Sequence, residues 1–192
     1  YECGVFEESQ YFKEFETYLT RHFHNDGRKH MSVANSSWDT WIDGYVQGIP
    51  GRKTSIYTEG ALIAYICDMR IRKATNNEAS LHNVLQELYQ LTSTKKGYTE
   101  TNYRNLLEKI SGELFEDIFI NLLHGTADFT PYIIEALEYE GWGFEAKPSS
   151  KEYENFGIKG TSKNGSFQIT NILEASTAEK SGLIPSDAIH SI

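Results

Sequence analysis

The sequence predicts a mainly α protein that gives way, near its end, to a small β-rich module. Three observations carry that expectation. Apolar residues recur every three or four positions through the first 140 residues, the period of helices half-buried against a core. Helix start and stop residues punctuate the same stretch, with Ser80, Thr99, Gly112, Pro131 and Gly141 at its breaks. Beyond residue 141 the chain turns Gly- and Pro-punctuated and shows short alternating segments, the period of strands. The boundaries read as 1–140 and 141–192, and 192 residues suffice to bury a core without staples.

The elements follow in order. In "EESQYFKEFETYLTRHF" the residues Tyr11, Phe12, Phe15, Tyr18 and Leu19 share one helical face. "NDGRKHMSVANSSWDTWIDGYVQGIPGRKTS" is rich in Gly, Ser and Asn and reads as a long loop holding a short helix over 37–45, capped by Ser36 or Ser37. Its basic run "GRKH" reads as solvated loop. Trp38, Trp41 and Tyr45 read as aromatic pins between loop and helices, or else as the border of a cleft. "SIYTEGALIAYICDMRIRK" is a core helix with a polar, flexible head, Tyr57 to Gly60. Read from the residues alone, Tyr57 anchors that helix start in the core.

Ser80 caps "LHNVLQELYQL", where Leu81, Val84, Leu85 and Leu88 form an apolar stripe. Thr99 or Thr101 starts "NYRNLLEKISG", with Tyr103, Leu106, Leu107 and Ile110 inward and Gly112 as its stop. "ELFEDIFINLLHG" repeats the pattern to Gly125, and "TPYIIEALEYEG" begins on Pro131 at a first-turn position and ends at Gly141. In the β-rich part, "GSFQITNIL" alternates through Phe167, Ile169 and Ile172. "STAEKSGL" is a short capped helix, and "IPSDAIHSI" is a further strand.

Composition narrows the function classes. With 27 acidic against 18 basic residues the net charge is -9, which disfavours nucleic acid and anionic membranes as partners. No apolar run reaches the roughly 18 residues of a membrane span. Cys3 and Cys67 are far apart and read as free buried thiols. Both chain ends read as cuts in a longer protein. None of the six histidines stands in an HExxH pattern, which would set two imidazoles one helical turn apart around zinc. His22, His24 and His30 read as surface residues, and no metal site is expected. There is no GxSxG turn and no Gly-rich phosphate loop, so motifs alone assemble no complete active site.

Taken together, "SSWDTWIDGYVQ", "SIYTEGALIAYICDMRIRKAT", "SLHNVLQELYQ", "KGYTETNYRNLLEKISG" and "FINLLHGT" resemble, in order, the glycyl aminopeptidase family of zinc metallopeptidases. The family's catalytic domain is similar to thermolysin. "ITNILEASTAEKSGLIPSDAIHSI" then looks like the PDZ domain that follows it. The resemblance implies that 1–140 is the helical C-terminal part of a gluzincin catalytic domain and 141–192 an incomplete PDZ-like domain. It implies a peptide substrate from which N-terminal glycine or another small residue is removed.

"YTEG" is similar to the family's Tyr-x-Lys-Gly element at Tyr57 and Gly60, with Glu59 in place of lysine. The resemblance makes Tyr57 a catalytic residue. A phenol that stays protonated near neutral pH donates to the oxyanion of the tetrahedral intermediate. Gly60 is expected to allow close backbone approach, and Glu59 to add a negative charge near that oxyanion. The family's HExxH helix and its glutamate ligand lie N-terminal to the matching region. Zinc is therefore expected in the intact parent and not in this chain, which alone is expected to be inactive.

"ENFGIKG" resembles the loop by which PDZ domains of bacterial proteases hold a peptide carboxylate on backbone N–H groups, which would make Phe156, Gly157 and Ile158 peptide-binding residues. An ordinary strand-entry turn is the other reading of the same residues. A bacterial cytoplasmic or periplasmic location goes with the family. The competing functional reading is a non-catalytic peptide-binding or scaffold protein with a PDZ module.

Overall fold

The computed structural model describes residues 4–5, 7–43, 49, 51–93, 97–163 and 165–190. Helices α1 (Glu8–Phe23), α2 (Gly27–His30) and α3 (Val33–Asp43) come first, then α4 (Ile56–Ala74), α5 (Leu81–Thr92) and α6 (Glu100–Ser111). A short α7 (Glu116–Ile118) runs into a π-helical turn at Phe119–Leu123, followed by α8 (Thr130–Tyr139) and α9 (Glu152–Asn155). Strands β1 (Ile158–Lys163) and β2 (Ser166–Ile172), the short α10 (Thr177–Lys180) and strand β3 (Ala188–Ile189) complete the order. The protein is mainly α with a small antiparallel sheet near its C-terminus, as the periodicity predicts. The chain forms two compact units, one of Tyr1–Ser55 with Glu145–Ile192 and one of Ile56–Phe144.

The unit Ile56–Phe144 is built around α4, which packs on α5, α6 and α8. Its inward residues are Leu62, Ile66, Cys67, Met69 and Ile71. Val84 and Leu88 of α5, Leu106 and Leu107 of α6, and Ile133, Ala136 and Leu137 of α8 are buried as well. Ser80 and Thr99 each form a reciprocal cap with the residue three positions on, Asn83 and Asn102, satisfying backbone donors that a helix start leaves open. Gly112 closes α6 in the left-handed conformation that glycine adopts without strain.

"ELFEDIFINLLHG" is not the single α-helix its spacing suggests. After one turn it widens, and the His124 N–H donates to the Phe119 carbonyl five residues back at 2.9 Å. The wide turn leaves Ile118, Phe119 and Leu122 all inward. Gly125 lies so close to the carbonyl oxygens of Ile120 and Asn121 that a Cβ there would stand 2.6 and 2.7 Å from them. The segment is clamped to α4 by Arg70, whose guanidinium donates to both Asp117 carboxylate oxygens, at 2.6 and 2.9 Å, and to the Leu114 carbonyl at 3.0 Å. The hydrogen bonds from Arg70 hold the Asp117 carboxyl below the usual carboxylate range.

In the other unit, α3 begins at Val33 and is longer than the 37–45 segment expected. Its cap is Ser32, whose Oγ accepts from the Asn35 N–H at 3.2 Å. Ser36, expected as the cap, is instead buried inside α3, where its Oγ accepts from the Thr54 N–H and its carbonyl accepts from the Thr40 hydroxyl. "GRKH" is a helical turn, not loop. His22 is buried edge-on against Phe23, with ring centroids 4.8 Å apart, so it is not the surface residue that composition suggests.

The sheet has the order β1-β2-β3, both pairs antiparallel, with Ile158 opposite Ile172 and a bulge between Lys159 and Gly160. Ile158, Ile169 and Ala178 form its core, covered by Tyr153, Phe167, Ile172, Leu183 and Ile189. The sequence reading finds β2, α10 and β3 but not β1. "IKGTSK" holds a single apolar residue, and its strand conformation comes from pairing with β2.

Candidate functional site

Tyr57 lies in the first turn of α4 and is 66% exposed, so its ring is not a core anchor. The long α4 fixes the direction of its Cα–Cβ bond, because eighteen further helical residues are held down by an apolar face. Two residues on, Glu59 is 1% exposed. Residues two apart on an α-helix point about 200° apart, so the buried acid and the water-facing phenol leave opposite sides of the helix. The expected crowding of an oxyanion by Glu59 therefore does not follow from the geometry. In the first helical turn a carboxylate also meets the positive end of the helix dipole. Gly60 has no close neighbour: a Cβ there would meet nothing within 4 Å, against the expectation of close backbone approach.

Cys67, on the buried side of α4, is a free thiol whose pKa burial pushes up to about 12. It stays protonated near neutral pH and is no nucleophile. Cys3 lies outside the described residues. Among the described residues no group of three His, Cys, Asp or Glu side chains is arranged to hold a metal ion. No described helix is long and apolar enough to cross a membrane.

In the unit that contains α3, that helix is amphipathic in the unusual sense. Val33, Ser36 and Thr40 face inward, while Trp38 and Trp41, each 75% exposed, and Ile42 face water. Tyr45 lies outside the described residues. Arg52 and Lys53 form ion pairs with Asp39 and Asp43 on the same helix.

The β module carries an apolar cavity of about 290 Å³, lined by Tyr153, Phe156, Ile158, Ala178, Leu183 and Ile189 with Thr177 and Ser181. Of the three residues expected to bind peptide, Phe156 and Ile158 lend side chains to this cavity. Gly157 sits behind it with φ +82°, where a Cβ would stand 2.3 Å from Ser176 Cβ. Only glycine fits both that conformation and that approach. The N–H groups of Phe156 and Gly157 donate to the carbonyls of Tyr153 and Glu154, so two of the three expected carboxylate donors are engaged within the chain. Sequence reasoning missed Tyr153, Ala178, Leu183 and Ile189 as lining residues. Their signal was the apolar positions flanking the "STAEKSGL" turn, which become neighbours only when α10 folds against the sheet.

The stretch that sets the Trp face before an exposed tyrosine at a helix start is also the one that comparison with known families picks out. Residues 1–63 match the family model of the M61 glycyl aminopeptidases. The M61 match covers the first third of the chain and contains Trp38, Trp41, Tyr57, Glu59 and Gly60. The match is what this segment is similar to, and it supports a peptidase-family origin. No curated protein and no solved structure matches the chain.

Proposed function

We propose that 1–140 is the helical C-terminal part of a zinc-dependent M61 aminopeptidase catalytic domain, followed over 141–192 by a partial PDZ-like domain. The parent protein removes N-terminal glycine or another small residue from peptides, in a bacterial cytoplasm or periplasm. The observation that carries this reading is the exposed phenol of Tyr57 on a rigid helix start within the matched segment. Its hydroxyl donates to the oxyanion of the tetrahedral intermediate. Among the described residues no group is arranged to hold a metal ion, and on this reading zinc, its ligands and the general base belong to the parent.

In the β module, the apolar cavity beside Phe156 and Ile158 takes an apolar side chain near a peptide C-terminus. Only Ile158 of the three-residue loop still has an N–H that is not turned back on α9. The non-catalytic scaffold reading rested on Glu59, and its burial on the far side of α4 from Tyr57 removes that support.

The test is hydrolysis of a glycyl anilide by the full-length parent. Activity abolished by a chelator and restored by zinc is expected, with none from the 192-residue chain alone. A parent that is inactive with zinc, or indifferent to chelation, overturns the reading.

A further inference from the structure

The helices at the start of the chain and the β module near its end share one compact unit, and the buried carboxylate of Asp26 reaches from one to the other. Asp26, nine-tenths buried at the N-terminus of α2, accepts a hydrogen bond from the Glu174 N–H at 2.6 Å, a contact across 148 residues of sequence. Its other oxygen pairs with Lys29 Nζ at 2.7 Å. His30 of the same helix lies 3.3 Å from the Glu174 carboxylate. Lys159 and Glu154 are the further charged groups of the cluster, and burial holds the Lys159 amine below its ordinary pKa although Asp26 and Glu154 draw it upward.

The turn that Asp26 grips, 173–176, is costly to form. Ala175 adopts φ +58°, a conformation alanine disfavours. The same turn is the foundation of the cavity wall. The Leu173 N–H donates to the Gly157 carbonyl at 2.8 Å, and the Ser176 hydroxyl caps α10 by accepting from the Glu179 N–H. The Glu179 carboxylate in turn accepts from the Ala175 N–H at 2.6 Å. From α10 the Ala178 N–H donates to the Phe156 carbonyl at 3.0 Å, and both Ala178 and Phe156 line the cavity.

We propose that Asp26 is a positioning residue for the cavity: its carboxylate holds the 173–176 turn in place and, through the capped α10, sets the distance between the Ala178 and Phe156 walls. The charge matters and not only the shape, because a charge-assisted hydrogen bond to a backbone N–H is roughly twice as strong as a neutral one. The functional half of this inference rests on the reading of the cavity as a peptide site. The structural half does not.

Amide hydrogen exchange on the 192-residue chain, without peptide, tests the structural half. In Asp26→Asn and Asp26→Ala the Glu174 and Ala178 amides are expected to exchange at least tenfold faster than in the wild type, while the β1–β2 ladder stays protected. Asp26→Glu should restore part of the protection, and Lys29→Met, which keeps the carboxylate, should change it less than twofold. Unchanged exchange at 174 and 178, or equal loss across the whole ladder, overturns the proposal. Fluorescence anisotropy with a labelled hexapeptide ending in valine tests the second half, with an affinity about tenfold weaker in Asp26→Asn expected. Equal affinity in the two proteins overturns the link to the cavity. A wild type that binds no such peptide sinks the peptide reading alone, and the exchange result still decides the latch.

Discussion

Tyr57→Phe in the proposed zinc-dependent parent is expected to lower kcat about 100-fold and to leave KM nearly unchanged. The substitution deletes one oxygen and keeps the ring, so the loss is confined to interactions of the hydroxyl. An interaction made only when the carbonyl oxygen becomes an anion lowers kcat and kcat/KM together, whereas lost substrate contact would raise KM. Because Tyr57 is two-thirds exposed, the stability cost stays within about 0.5 kcal/mol, which separates a chemical defect from a folding one. Steady-state kinetics alongside a thermal melt of the same preparation give both readings. An unchanged kcat would return Tyr57 to a surface aromatic residue, and a large drop in melting temperature would make it a structural one.

Phe115→Ala destabilises the unit Ile56–Phe144 by about 3–5 kcal/mol. Phe115 is fully buried, the largest such side chain among the described residues, at the entrance to α7. The Arg70 guanidinium lies over its ring, 5.4 Å from the centroid, and the same guanidinium holds Leu114 and Asp117. Truncation therefore empties a core site and removes the surface on which Arg70 rests. Domains are stable by about 5–15 kcal/mol, so the change takes about a fifth of the total or more and moves the urea midpoint sharply. A cost under about 1 kcal/mol would mean that the site collapses without leaving a cavity.

Much of the fold was legible because local chemistry and tertiary packing agree there. Ser80, Thr99, Gly112 and Pro131 act locally, and each sits where its own hydrogen-bonding or backbone preference puts it. The misreadings fall where packing overrules the local signal. Ser36 looks like a cap and is an interior residue, because Thr54 offers it a backbone donor from eighteen residues away. β1 has almost no apolar pattern and exists through its partner strand. The π-helical turn cannot be read from spacing, since one added residue per turn leaves the apolar count unchanged. At the candidate site, the family resemblance pointed to Tyr57, while the residues alone read it as a core anchor and missed its exposure. Nor did either give the burial of Glu59, which depends on the side of α4 that meets the core.

The inverted face of α3 has a spectroscopic consequence. The three tryptophans, Trp38, Trp41 and Trp142, all keep a large share of their surface in water in the folded chain. Trp38 and Trp41, each 75% exposed, are expected to emit as in a polar environment and to shift little on denaturation. An apolar partner covering Trp38 and Trp41 would be expected to shift that emission to the blue.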